Sequence, residues 1–311
     1  MTPDSTPATG PPPARKRTLV SFGGAIGAGG VLIAICVAQG DKFTAALGAA
    51  PLWVLGIAVA LQIVALGVRT EAWHVCVCAA GGTVPRRRLY RAAGVGYVVM
   101  AVNGHLAVAA RITALRRSAP RDSPRVPALM AAEVPILALE AVLAAIFSFT
   151  LVGPLDLPWW LPLVAFAVTA SLTAGLYALA RRGRARAGSL LSGLAVLGSL
   201  DGRRQVILLV LVAVGAQIAR NWLMLHSTGI PVSLLDSIAV LIAIVTLTQL
   251  PVGPSVGAAA TVLILGGHGV AAVAAAGVLL TATGIAGALS FAGWALADRI
   301  WGSRRVRVIT S

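Results

Sequence analysis

The chain has 311 residues, of which 58% are apolar and 11% charged. A soluble domain carries roughly 25% charged residues, so this sequence cannot coat a water-facing globule of its own size, and a mean hydropathy of +0.89 turns much of the surface toward lipid. The excess of 25 Lys+Arg over 10 Asp+Glu would point to nucleic acid in a soluble protein. Here the basic residues stand in short clusters between apolar runs, the pattern of cytoplasmic loops in a polytopic α-helical membrane protein. Anionic lipid headgroups, not nucleic acid, are then the natural counter-charge. The three cysteines, Cys36, Cys76 and Cys78, exclude a disulfide framework and lack histidine partners at metal-ligand spacing.

Residues 1–17 are rich in Pro, Thr and Ala and end in Arg15-Lys16-Arg17, a basic cytoplasmic tail without apolar periodicity. An apolar run from Thr18 to Ala38 follows. Its 21 residues give about 31 Å of helix, a full span and longer than a usual signal-peptide core, so a retained first helix is expected. A second span is expected from Pro51 to Val68, followed by a cytoplasmic stretch holding Arg69, Arg86, Arg87, Arg88 and Arg91. Residues 92–115 are apolar but interrupted at Asn103-Gly104-His105, and Arg116, Arg117, Arg121 and Arg125 come next. Basic flanks on both sides favour a re-entrant hairpin over a crossing.

A third span runs from Pro127 to Leu151, and the loop Gly153–Pro158 carries no Lys or Arg and reads as exterior. Trp159 and Trp160 open the next span at headgroup level; it closes near Ala180 at Arg181, Arg182, Arg184 and Arg186. Residues 187–200 are too short to cross, and their leucines at 190, 191, 194, 197 and 200 suggest an amphipathic helix on the inner leaflet. A span from Gln205 to His226 leads outward. The apolar run 234–268 breaks at Pro251-Val252-Gly253-Pro254 and again at Gly266-Gly267-His268, a second re-entrant segment entering from the opposite face. The last span, Val270 to Ala297, ends at Arg299, Arg304, Arg305 and Arg307, with 300–311 as a cytoplasmic tail. Residues 18–299 thus form a membrane domain of about six spans and two interrupted segments. The order span, span, interrupted segment, span occurs twice in opposite orientation, the layout of an inverted repeat.

Ionisable groups at membrane depth need an account. Glu133 and Glu140 lie on one face of the third span, about 9 and 20 Å from its inner end; Arg111 stands near the depth of the first and Arg220 near that of the second. Two readings compete for them: ion pairs Glu133–Arg111 and Glu140–Arg220, or arginines free to grip a phosphate by bidentate hydrogen bonds. Snorkelling of both arginines to headgroups is the third alternative. Asn103, Gly104, His105, Pro251, Gly253 and Pro254 break the two hairpins, and the freed backbone groups would line a polar cleft unless the breaks are packing kinks. His226 and His268 read as interfacial. No zinc-protease helix, serine elbow or carboxylate pair is present, so neither an enzyme nor a metal or other cofactor is expected.

Over residues 92–117 and 246–299 the chain resembles the flippase-like membrane region of lysyl-phosphatidylglycerol synthases and its stand-alone relatives. Gly96-Tyr97, Gly104 and Arg111 fit that family's first hairpin; Val99, Asn103, Ala107 and Val108 stand where it has Asn, Pro, Gly and Glu. In the second hairpin Leu250-Pro251, Pro254-Ser255 and Gly257 fit, and Ala260 replaces a Glu; Glu133 fits a glutamate of the following span, with Val134 in place of the usual Arg. The resemblance implies a cell-membrane protein that moves a polar-headed lipid, or a polyisoprenoid-linked one, between leaflets. Arg111, Arg220, Glu133, Glu140, Asn103, Gly104, His105, Pro251, Pro254 and Gly257 would then be its substrate-binding residues. The synthases' soluble aminoacyl-transferase domain is not expected within this sequence, so a lipid synthase or glycosyltransferase would be a partner. A non-transporting scaffold or accessory subunit of lipid or envelope biosynthesis is the alternative, favoured by the two missing hairpin glutamates.

Overall fold

A computed structural model describes residues 45, 48–102, 104–182, 190–247 and 256–309. Among them all regular structure is helical, and five helical stretches, with Val126–Leu151 taken as one, are long and apolar enough to cross a membrane. The chain is a multi-pass membrane protein. The expected first span, Thr18 to Ala38, and the tail 1–17 lie outside the described residues.

Helix α1, Leu52–Ala79, extends well past the expected end of the second span at Val68. Arg69 therefore sits inside a helix, not in a loop. The helix stops where glycine permits: Gly81 has φ of 89°, and the amides of Gly81 and Gly82 bond to the carbonyls of Cys78 and Val77, each at 3.0 Å. That pair of bonds is a Schellman cap, which needs a left-handed residue.

Two short helices follow, α2 (Arg86–Val102) and α3 (Gly104–Ser118), packed on each other as a helical hairpin. At 1.5 Å per residue they reach about 25 and 22 Å, short of the roughly 30 Å hydrocarbon core. The expected third span is two helices. α4 (Val126–Ala131) gives way at Ala132–Glu133 to α5 (Val134–Phe147), which a 3₁₀ turn Ser148–Leu151 prolongs. Pro135, lacking an amide hydrogen, cannot bond to the carbonyl of residue 131, and this breaks the ladder. α6 (Trp160–Arg182) packs along α5 and is almost wholly exposed, as a lipid-facing helix should be.

Over the expected surface helix 187–200, residues 183–189 lie outside the described residues. The remainder is a 3₁₀ segment, Leu190–Gly198, tucked against α1, α4 and α6. Leu194 and Val196 are buried. Gly193 lies so close to α4 that a Cβ there would stand 2.5 Å from the Ala128 carbonyl oxygen. This segment is a wedge packed into the bundle.

α7 (Leu200–Ser227) precedes α8 (Leu234–Leu247) and α9 (Val256–Leu265), which pack together. Ser233 and Asp236 cap α8 reciprocally, amide to side chain at 2.8 and 3.2 Å. After a 3₁₀ turn Gly266–His268, α10 runs from Val270 to Ile309. The expected tail is thus helical as far as Ile309.

α1 and α7 pack along their length and antiparallel. The start of α1 (Val54, Ala58) shares a core with the end of α7 (Met224, Leu225), α8, α9 and the start of α10. The end of α1 (Ala72, Trp73, Cys76, Val77) shares another with the start of α7 (Val206, Val210), the α2–α3 hairpin, α4 and the 3₁₀ wedge. The two hairpins therefore cap opposite ends of one antiparallel pair. Between these two apolar cores α1 carries its polar side chains.

Candidate functional site

Gln62, Arg69 and Trp73 stand seven and four residues apart on α1, so they fall along one face and span about 16 Å of its axis. Each meets a different polar partner from a neighbouring helix.

Nearest the basic end, Arg111 of α3 and Glu133, at the α4–α5 break, form an ion pair buried on both sides. The guanidinium carbon of Arg111 lies 4.2 Å over the Trp73 ring, a cation–π contact. Gly96 of α2 makes room for it: a Cβ at Gly96 would meet the Arg111 Cβ at 2.9 Å. The expected Arg111–Glu133 pair is present, so neither arginine nor glutamate snorkels there.

One helical turn away on α1, Arg69 pairs with Glu140. The expected partner of Glu140 was Arg220, and the structure corrects this. α5 turns Glu140 toward α1, and α1, helical beyond Val68, delivers its own arginine to it. Beside this pair, Thr70 and Tyr97 share a buried hydroxyl–hydroxyl hydrogen bond of 2.9 Å, and Tyr97 donates to the Leu66 carbonyl at 3.0 Å.

Arg220 occupies the third position, 7% exposed and in no ion pair with a carboxylate among the described residues. Its Nη1 donates to Gln62 Oε1, which also accepts from Gln217 Nε2 at 2.9 Å. Its Nη2 lies 3.5 Å from Asn221 Oδ1. Every acceptor it reaches is neutral, and both Arg220 Nε and Asn221 Nδ2 are buried with no hydrogen-bond partner. Glycines on α10 open the space: a Cβ at Gly284 would stand 3.3 Å from Arg220 Nη1, and one at Gly287 would stand 2.5 Å from Gln62 Cγ. Gly284 thus leaves room for the guanidinium.

Three arginines and two glutamates thus line the middle of the bundle, leaving one positive charge uncompensated by the described residues. A buried unpaired cation costs several kcal/mol, and buried unsatisfied donors are rare in folded proteins. An anion with two or three acceptor oxygens would satisfy both.

The remaining expected residues are placed unevenly. Gly257 packs against Gly277 of α10, with Thr281 Oγ1 filling the direction of its missing Cβ; it serves a helix seam and lines no open space. Gly104 opens α3, and His105 is helical in its first turn. Asn103, Pro251, Gly253 and Pro254 lie outside the described residues. His226 stacks on Trp222 with ring centroids 5.4 Å apart and is exposed, and His268 is exposed too, in keeping with the interfacial reading. Among the described residues no group of three or more metal-ligating side chains occurs.

Sequence reasoning missed Gln62, Arg69, Trp73, Gln217 and Asn221. A signal existed for the first: a lone amide in an apolar span, seven residues before an arginine, marks one helix face. No family model matches the chain, and no curated protein or solved structure matches it either.

Proposed function

We propose that this chain is a cell-membrane translocase for an anionic lipid headgroup, phospholipid or polyisoprenoid-linked, and not an enzyme. The observation that carries the reading is Arg220, a buried guanidinium with neutral partners and a free Nε, set between two apolar cores. The file Arg220–Gln62, Arg69–Glu140, Arg111–Glu133 gives a headgroup three successive polar stations along α1. A phosphate oxygen can compete with the glutamate for either paired guanidinium, since arginine binds phosphate and carboxylate through the same donors.

The antiparallel packing of α1 on α7, with a short hairpin at the far end of each, supports an inverted repeat of about six spans and two re-entrant segments. On the charge rule the C-terminal end of α10 is cytoplasmic, because Asp298 pairs with Arg87 and Arg91 of a basic cluster, and a first span leading outward from Arg15-Lys16-Arg17 would put the N-terminus on the same side. The likeness to the flippase-like region of lysyl-phosphatidylglycerol synthases agrees with this assignment. A lipid synthase or glycosyltransferase would supply the cargo.

The test is reconstitution of the purified chain into vesicles carrying a fluorescent phosphatidylglycerol analogue, with dithionite bleaching of the outer leaflet. The expected result is protein-dependent bleaching of lipid from the inner leaflet, at least tenfold slower for Arg220→Gln. Exchange no faster than in empty vesicles overturns the proposal. A second reading, a non-transporting scaffold, draws on the closed Arg111–Glu133 pair; it predicts that empty-vesicle result together with co-purification of a biosynthetic enzyme.

A further inference from the structure

Away from the α1 polar file, at the end of the bundle that carries the arginine clusters, α3 and α4 diverge and leave a cleft of about 480 Å³. Its walls follow from helical spacing. On α3, Thr113 and Arg117 are four apart, as are Ile112 and Arg116; on α4, Val126 and Met130 are four apart, so each wall is one face of its helix. The volume falls in the roughly 300–1,000 Å³ range of small-ligand clefts.

The chemistry divides along the cleft. Val126 and Met130 are 43% and 54% exposed and offer an apolar flank. Arg116 is half-buried and fixed by a 3.2 Å hydrogen bond from Nη1 to the Pro124 carbonyl, while Arg117 is exposed and has no ion pair among the described residues. Residues 116–125 contain four arginines and one aspartate, and that aspartate, Asp122, is engaged by Arg88 at 3.2 Å. The rim is therefore strongly cationic with its only local carboxylate occupied. A cationic rim over an apolar flank complements a phosphodiester with acyl chains attached.

We infer that this cleft binds one anionic phospholipid from the leaflet at the basic end of the bundle, its phosphate held by Arg116 and Arg117 and an acyl chain laid along Val126 and Met130. The site is separate from Arg220 and stands whether or not the chain moves lipid.

The experiment is native mass spectrometry of the full chain in detergent, titrated with dioleoyl phosphatidylglycerol or dioleoyl phosphatidylcholine. One phosphatidylglycerol per chain should be retained at least tenfold more tightly than phosphatidylcholine. The double variant Arg116→Gln/Arg117→Gln should lose that preference, whereas the charge-matched control Arg203→Gln/Arg204→Gln should keep it. Thr113→Trp, which fills the cleft from an exposed position and keeps both arginines, should abolish retention, so the outcome stands even if the double variant fails to fold. Equal retention of the two lipids, equal loss in the control, or undiminished binding by Thr113→Trp would each overturn the assignment.

Discussion

Three arginines strung along one face of α1 meet three different fates, and their energetics separate accordingly. Arg111 and Glu133 are buried together. Removing one partner strands the other, at a cost of about 3–5 kcal/mol, so Glu133→Gln should lower the thermal midpoint in detergent sharply. Arg69 and Glu140 keep 34% and 24% of their side chains exposed, so Glu140→Gln should cost less than Glu133→Gln. If Glu140→Gln proves the more damaging in a thermal scan, the burial order is wrong. The Arg111–Glu133 pair was legible because both residues fall at one depth on adjacent segments. The partner of Glu140 was not. Arg69 ends an apolar run, and hydropathy alone places the helix terminus there; only the cap at Gly81–Gly82 reveals eleven further helical residues.

Among the elements, α10 is the one against which the others are set. Gly277 admits α9 so closely that a Cβ would stand 2.5 Å from Ala258 Cα, whereas Gly215 on α7 faces open space. Gly277→Leu should therefore cost about 1–3 kcal/mol through overpacking, and Gly215→Leu should be near neutral, compared by thermal unfolding in one detergent. Near its other end α10 is tied to α2: Arg87 Nε and Arg91 Nε donate to the Asp298 carboxylate at 2.6 and 2.7 Å. Asp298→Asn should speed amide hydrogen exchange in the first turn of α2 while leaving α8 unchanged. The packed pair α2–α3 could be read in advance from the basic flanks and central interruption of residues 92–115, and the pair α8–α9 from the Pro251–Pro254 break in an apolar run. The 3₁₀ wedge at Leu190–Gly198 could not, since leucines spaced for a surface helix serve a packed segment equally well. The break at Ala132–Glu133 is written in Pro135, but continuous hydropathy on both sides hid it.

For the whole molecule, the antiparallel α1–α7 pair with a hairpin at each end predicts which loops share a side. Single cysteines replacing Arg121 should react with an impermeant maleimide from one side of sealed vesicles, and those replacing Gly153 or His268 from the other. Reaction of Arg121→Cys and His268→Cys from the same side would dismantle the opposed-hairpin layout. Its polar core hangs on a single amide. Gln62 Oε1 receives both Gln217 and Arg220, and a glutamate has nearly the same shape. Gln62→Glu would hand Arg220 a permanent counter-ion, turning a hungry guanidinium into a sated one. The variant should be harder to unfold than the natural chain and, under the proposed function, poorer at moving lipid. By holding an amide in that seat, the protein keeps its interior one charge short of peace.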